Sequence, residues 1–182
     1  MSLGFVHHKL SVDKYERMIR AGFFTENDRI ELIRGELLDK MPIGDAHVEV
    51  VNRLNRKFAN LLDEAITVSI QNPLMLSDSE PEPDVALYTL RAPGKARASD
   101  VHLVIEVADS SLDFYRTVKL AIYAEAGIPE YWIVNVLDEV IEIHRQPQLD
   151  GSYSLSSTLK RGDVLMPLAL PGVTLKVDEI LP

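Results

Sequence analysis

Residues 102–107 read HLVIEV, that is His102, Leu103, Val104, Ile105, Glu106 and Val107. The run is apolar on both faces around one carboxylate, which suits a buried central strand better than a half-solvated one. Downstream, Leu112, Tyr115, Ile122, Tyr123 and Ala126 recur at helical spacing, and Gly127 with Pro129 just beyond ends that helix near Ala126. Strands are predicted at 130–136 and 140–145, joined by Leu137-Asp138-Glu139, with further strands at 152–159 and 164–166. Upstream, strands are predicted at 85–90 and 67–71. The strongest helix opens at Gly44 or Asp45 and carries Val48, Val51, Leu54, Phe58, Leu61 and Leu62 on one stripe. Arg29 to Met41 reads as a hairpin turning at Arg34-Gly35, and Ser11 caps a first helix that runs to Gly22. This order predicts an α/β (α+β) protein with a central mixed β-sheet flanked by helices, one domain over residues 1–182.

Composition narrows the function classes. Lys+Arg 19 against Asp+Glu 28 leaves a net charge of −9, and the hydrophobic fraction of 46% is that of a folded chain. The absence of cysteine excludes a disulfide framework, a Cys-based zinc site and a thiol nucleophile. The acidic balance speaks against binding nucleic acid or an anionic membrane through bulk charge. The opening MSLGFVHHKL has no apolar h-region, and no run reaches the roughly 18 apolar residues of a membrane span. The expectation is therefore a soluble, cytoplasmic protein with no membrane partner.

Two acids stand where a core wants apolar side chains. Asp84 follows Pro83 and opens Val85-Ala86-Leu87-Tyr88, and Glu106 interrupts the strand quoted above. A buried, unpartnered carboxylate costs several kcal/mol, so each must be paired, protonated or holding a cation. Lys119 lies on the apolar stripe of the following helix, which points its ammonium toward the sheet. One reading is a structural ion network of these three residues. The other is a Mg²⁺ (or Mn²⁺) site, since Mg²⁺ accepts few protein oxygens and keeps its waters, with the lysine offsetting charge on a reacting phosphoryl group.

These residues, with ELIRGEL at 31–37, the helix opening at His47, EPDVAL at 82–87, LVIEVADSS at 103–111 and KLAIYAEAGIPEYWIVN at 119–135, resemble the Uma-two family of restriction-endonuclease-like proteins. That family lies within the PD-(D/E)xK nuclease superfamily, and the likeness covers about residues 10–145. It implies a restriction-endonuclease-like core, a homodimer and a DNA substrate. It also implies Asp84 and Glu106 as metal ligands and catalytic residues, with Lys119 as the catalytic lysine moved from the strand, where Ala108 now stands, to the helix. Glu31 and His47 match further polar positions and are candidates for groups that support the ligands. In the family that the chain resembles, an aspartate tends to stand four residues before the lysine. Here that position is Tyr115, and the nearby Asp113, two residues off on a helix, faces roughly away.

Arg91, Lys95 and Arg97 form a basic stretch read as a loop and are the candidates for contact with nucleic-acid phosphates. His7, His8, His102 and His144 have no ligand spacing and read as surface or capping residues, while Tyr131 and Trp132 read as core. Asp78, Glu80, Glu82 and Asp84 concentrate part of the negative charge around the proposed ligands, where a divalent ion would offset it. Two functions follow: a metal-dependent endodeoxyribonuclease, or a non-catalytic module on the same fold that serves a transposition or defence system.

Overall fold

The computed structural model describes residues 7–25, 27–61, 65–89 and 93–182. In chain order come α1 (Val12–Arg20), the hairpin of β1 (Ile30–Ile33) and β2 (Glu36–Asp39), α2 (Asp45–Leu61), β3 (Thr67–Ile70), β4 (Leu74–Met75), β5 (Val85–Tyr88), β6 (Ala96–Arg97) and β7 (Val101–Ala108). The chain continues through α3 (Leu112–Phe114), a π-helical turn (Tyr115–Lys119) and α4 (Leu120–Glu125). It ends with β8 (Glu130–Asn135), β9 (Val140–Pro147), β10 (Tyr153–Lys160), β11 (Val164–Leu165) and β12 (Leu175–Lys176).

The HLVIEV strand lies inside a six-stranded sheet of order β10-β9-β8-β7-β5-β3. Its pairing with β8 is parallel, with Glu106 opposite Ile133, while its pairing with β5 and the remaining ladders are antiparallel. Parallel neighbours need a crossover of a dozen or more residues, and the helical segment from Leu112 to Glu125 supplies it. Alternation along β7 sends Leu103, Ile105 and Val107 to a core shared with Val50, Leu54 and Phe58 of α2. The other face carries Val104 and Ala108 into a second core with Ile122, Tyr123 and Tyr131. Phe58 meets Trp132 at a ring separation of 6.4 Å, and each such buried ring stabilises the fold by about 1.5–3 kcal/mol. The predicted central mixed sheet flanked by helices is thus the architecture observed.

The hairpin turn behaves as its sequence predicts. Arg34 and Gly35 both have positive φ, +50° and +78°, as a two-residue turn matched to strand twist requires. A Cβ on Gly35 would stand 2.7 Å from the Lys9 Cβ, so glycine also lets the N-terminal segment before α1 pass over the turn. Ser11 caps α1 as predicted, its side chain accepting the Lys14 N–H at 3.3 Å. Among the described residues no helix is long and apolar enough to cross a membrane.

Four expectations need correction. The buried stripe of α2 is His47, Val50, Val51, Leu54 and Phe58, whereas Val48 and Leu61 face solvent; Leu62 lies outside the described residues. The helix over 112–126 is not regular, because the π-helical turn interrupts it. The stretch read as a loop at 91–100 contains β6, which pairs in parallel with β4 because Ala96 buries beside Leu74. His144 is not a surface residue: it packs against Tyr131 and Tyr153, with Nδ1 2.9 Å from the Ser156 hydroxyl, and burial lowers its pKa.

Candidate functional site

Five segments converge at the open end of the β5–β7 ladder. β1 brings Glu31, the first turn of α2 brings His47, the approach to β5 brings Asp84, β7 brings Glu106 and the π-helical turn brings Lys119. All five side chains are buried. They stand at one side of a cleft of about 590 Å³ whose walls also include Gln71, Asp113 and Tyr115.

Asp84 is held from three directions. Its Oδ2 accepts the Val107 N–H at 2.8 Å and lies 2.9 Å from His47 Nε2, and its Oδ1 accepts from Gln71 Nε2 at 3.2 Å. The Asp84 N–H in turn donates to Glu106 Oε2 at 3.3 Å, which joins the two acids directly. Glu106 Oε1 accepts the Tyr123 hydroxyl at 2.7 Å and lies 3.4 Å from Lys119 Nζ. Lys119 donates more closely to Glu31, at 2.6 Å to Oε2, and that same oxygen accepts the Glu82 N–H at 3.2 Å. The π-helical turn makes this possible. It shifts the register of the helix so that Asp113 and Tyr115 line the cleft while Lys119 stays buried, and the expected turning away of Asp113 does not occur.

The electrostatics follow from the count of charges. Three buried carboxylates share one buried ammonium. Burial first, then the Asp84 and Glu31 charges, push the Glu106 carboxyl up to about 7, although Lys119 and the Tyr123 hydroxyl pull it down. Burial disfavours charge on Lys119, but Glu106 and Glu31 outweigh it and hold its pKa above the ordinary lysine value. Lys119 therefore stays protonated and cannot accept a proton at neutral pH; it can only donate hydrogen bonds and offset negative charge. Asp84 Oδ1 and Glu106 Oε2 each accept one hydrogen bond among the described residues and keep a second lone pair. That is an oxygen-only donor pair. Among the described residues no three His, Asp or Glu side chains already converge in ligating geometry, so an ion here would complete its shell with water.

Of the residues singled out from sequence, Asp84, Glu106, Lys119, Glu31 and His47 are therefore brought together. Lys95 and Arg97 are not: both line a second, separate concavity beside α1. There Lys95 Nζ is bound by Glu80 Oε1 at 2.5 Å and by Glu16. Arg91 lies outside the described residues. Sequence reading missed Gln71, which carries no signal, and Tyr123, which does: it lies four residues after Lys119 on the same stripe.

The Uma2 family, described as "Putative restriction endonuclease", matches residues 12–178. Among solved structures, a "putative nuclease belonging to DUF820" from Anabaena variabilis ATCC 29413 superposes with a TM-score of 0.72. It is 13% identical, and the match covers 94% of this chain and 97% of that one. At this identity the likeness concerns the fold. No curated protein matches the chain.

Proposed function

Because the chain belongs to the Uma2 family of restriction-endonuclease-type proteins, we propose that it is a Mg²⁺- or Mn²⁺-dependent endonuclease that hydrolyses phosphodiester bonds in DNA. The observation that carries this reading is the joined pair Asp84 and Glu106, buried, linked through the Asp84 N–H, and undercompensated by one lysine. Asp84 and Glu106 would hold the ion, which when bound polarises a phosphoryl oxygen and acidifies a water. In the overall reaction a water oxygen forms a new bond to phosphorus, the ester P–O bond breaks, and the departing alkoxide takes up a proton. Lys119, kept charged by Glu31 and Glu106, offsets the negative charge that grows on the phosphoryl oxygens. His47 and Gln71 orient Asp84, and Tyr123 orients Glu106. A homodimer in solution is part of the same proposal.

Cleavage of several DNA forms in Mg²⁺ and Mn²⁺ tests this reading. Wild type should cut and Asp84→Ala should not; equal signals from the two would sink it. One feature favours a second reading, an ion network with no metal: every charged member of the group already has a hydrogen-bond partner within the protein. Calorimetry with no Mg²⁺ or Mn²⁺ binding by wild type would favour that network, or a non-catalytic module.

A further inference from the structure

We infer that the cleft admits a single unpaired strand of nucleic acid rather than an intact duplex, with a phosphate on Arg29 and a base against the apolar lip of Met41 and Ile43. The inference rests on the nuclease reading and specifies its substrate.

Among the described residues the cations that line the cleft are Arg29, Lys40 and Lys119. Lys119 is taken by Glu31 and Glu106, and Lys40 by Glu82. Arg29 is exposed at the flank of β1 and makes no ion pair with another described residue. The Arg29 carbonyl accepts the Lys40 N–H at 2.8 Å, so the two cationic residues are backbone neighbours at one edge of the cleft. A planar guanidinium with free donors is well matched to phosphate. Affinity for duplex DNA comes largely from Lys and Arg that neutralise its phosphates, as in proteins that make about 6–10 such contacts. Among the described residues this cleft offers one cation without an ion pair, set among Asp39, Glu82 and Asp113 as well as the buried acids. A second strand of phosphates lying across it would meet acids with nothing to balance them.

The opposite signal is apolar. Met41 and Ile43, either side of Pro42, are 50% and 41% exposed, yet both line the cleft. Their loop is anchored where Gly44 meets Asp109: a Cβ there would stand 3.0 Å from Asp109 Oδ2. The half-buried rings of Phe114 and Tyr115, 6.2 Å apart, also line the cleft. A duplex hides its bases in the stack and offers such a lip only sugar and phosphate. An unpaired base offers an apolar face, which aliphatic and aromatic side chains can cover without reading sequence.

Fluorescence anisotropy tests this with full-length protein, Ca²⁺ in place of Mg²⁺, and three labelled probes: a single strand, the same sequence as a blunt duplex, and the single strand with abasic sites. We expect the single strand to bind at least about 10-fold more tightly than the duplex. Arg29→Ala should weaken it about 10-fold and lower the salt slope by about one. Met41→Ser/Ile43→Ser should weaken the normal strand several-fold and leave the abasic strand unchanged. These positions are exposed, so both variants should melt with wild type. Duplex binding equal to or tighter than single-strand binding overturns the inference, as does indifference to Arg29→Ala. If Mg²⁺-dependent cleavage of duplex persists in that case, only this inference falls; if no form of nucleic acid binds, the nuclease reading falls with it.

Discussion

Lys119 and Glu31, 88 positions apart in sequence, form a buried ion pair of 2.6 Å that sets the lysine between Glu31 and Glu106. The helix carrying Lys119 is irregular at this point, and the hairpin carrying Glu31 lies outside the main sheet. The pair is thus a joint between two parts of the fold as well as part of the site. Removing one partner of a buried pair leaves an unbalanced charge and costs about 3–5 kcal/mol. Lys119→Met should lower stability by this order in urea denaturation, and Lys119→Met/Glu31→Gln should recover part of the loss. Cleavage should be absent in both variants.

Protonation of Glu106 gives a pH signature. Its carboxyl, ordinarily near 4.5, is raised to about 7 by burial, so between these values the folded state binds the proton that the unfolded state has released. Stability contributed by this group is complete below about 4.5, declines as pH rises toward 7 and is lost above it. In EDTA, the stability of wild type minus that of Glu106→Gln should fall across this window and then level off. A difference that is flat or rises with pH would contradict the placement of Glu106.

Divalent metal should reverse that loss. An ion that binds the folded protein alone stabilises it in proportion to the logarithm of its concentration above Kd. At pH 7.5, Mg²⁺ should raise the melting temperature of wild type and leave that of Asp84→Asn unchanged. A purely structural ion network predicts no shift in either.

His47 should matter more to metal affinity than to fold. Its Nε2 faces Asp84, while its buried Nδ1 has no partner among the described residues. Groups that orient a ligand typically change metal affinity by about 10–100-fold. Calorimetry with Mn²⁺ should show a weakening of that order for His47→Ala and partial recovery for His47→Gln.

Local patterns carried much of this fold. The apolar run around Glu106, the Arg34-Gly35 turn and the Gly127 stop each depend on neighbours in sequence, and each stands where periodicity and turn chemistry place it. The inward face of His47 was also legible, since it precedes Val51, Leu54 and Phe58 at helical spacing, but an apolar Val48 next to it drew the stripe one residue too far. The Lys119–Glu31 pairing was not legible from spacing, because the residues meet only after the hairpin docks on the crossover helix. Nor was the fate of Lys95: a basic residue in a polar stretch looks solvated until Glu16 and Glu80 arrive from elsewhere in the chain. The π-helical turn has no composition signal at all, and Lys119 closes it with its side chain buried against Glu31.

The proposed activity requires that Asp84 and Glu106 act as one cation site. A crystal soaked in Mn²⁺ and measured at the manganese edge tests this directly. One anomalous peak within ligand distance of an oxygen of each carboxylate, absent in Asp84→Asn, is the predicted result. No peak between them at saturating Mn²⁺, with the five buried side chains ordered, would contradict it.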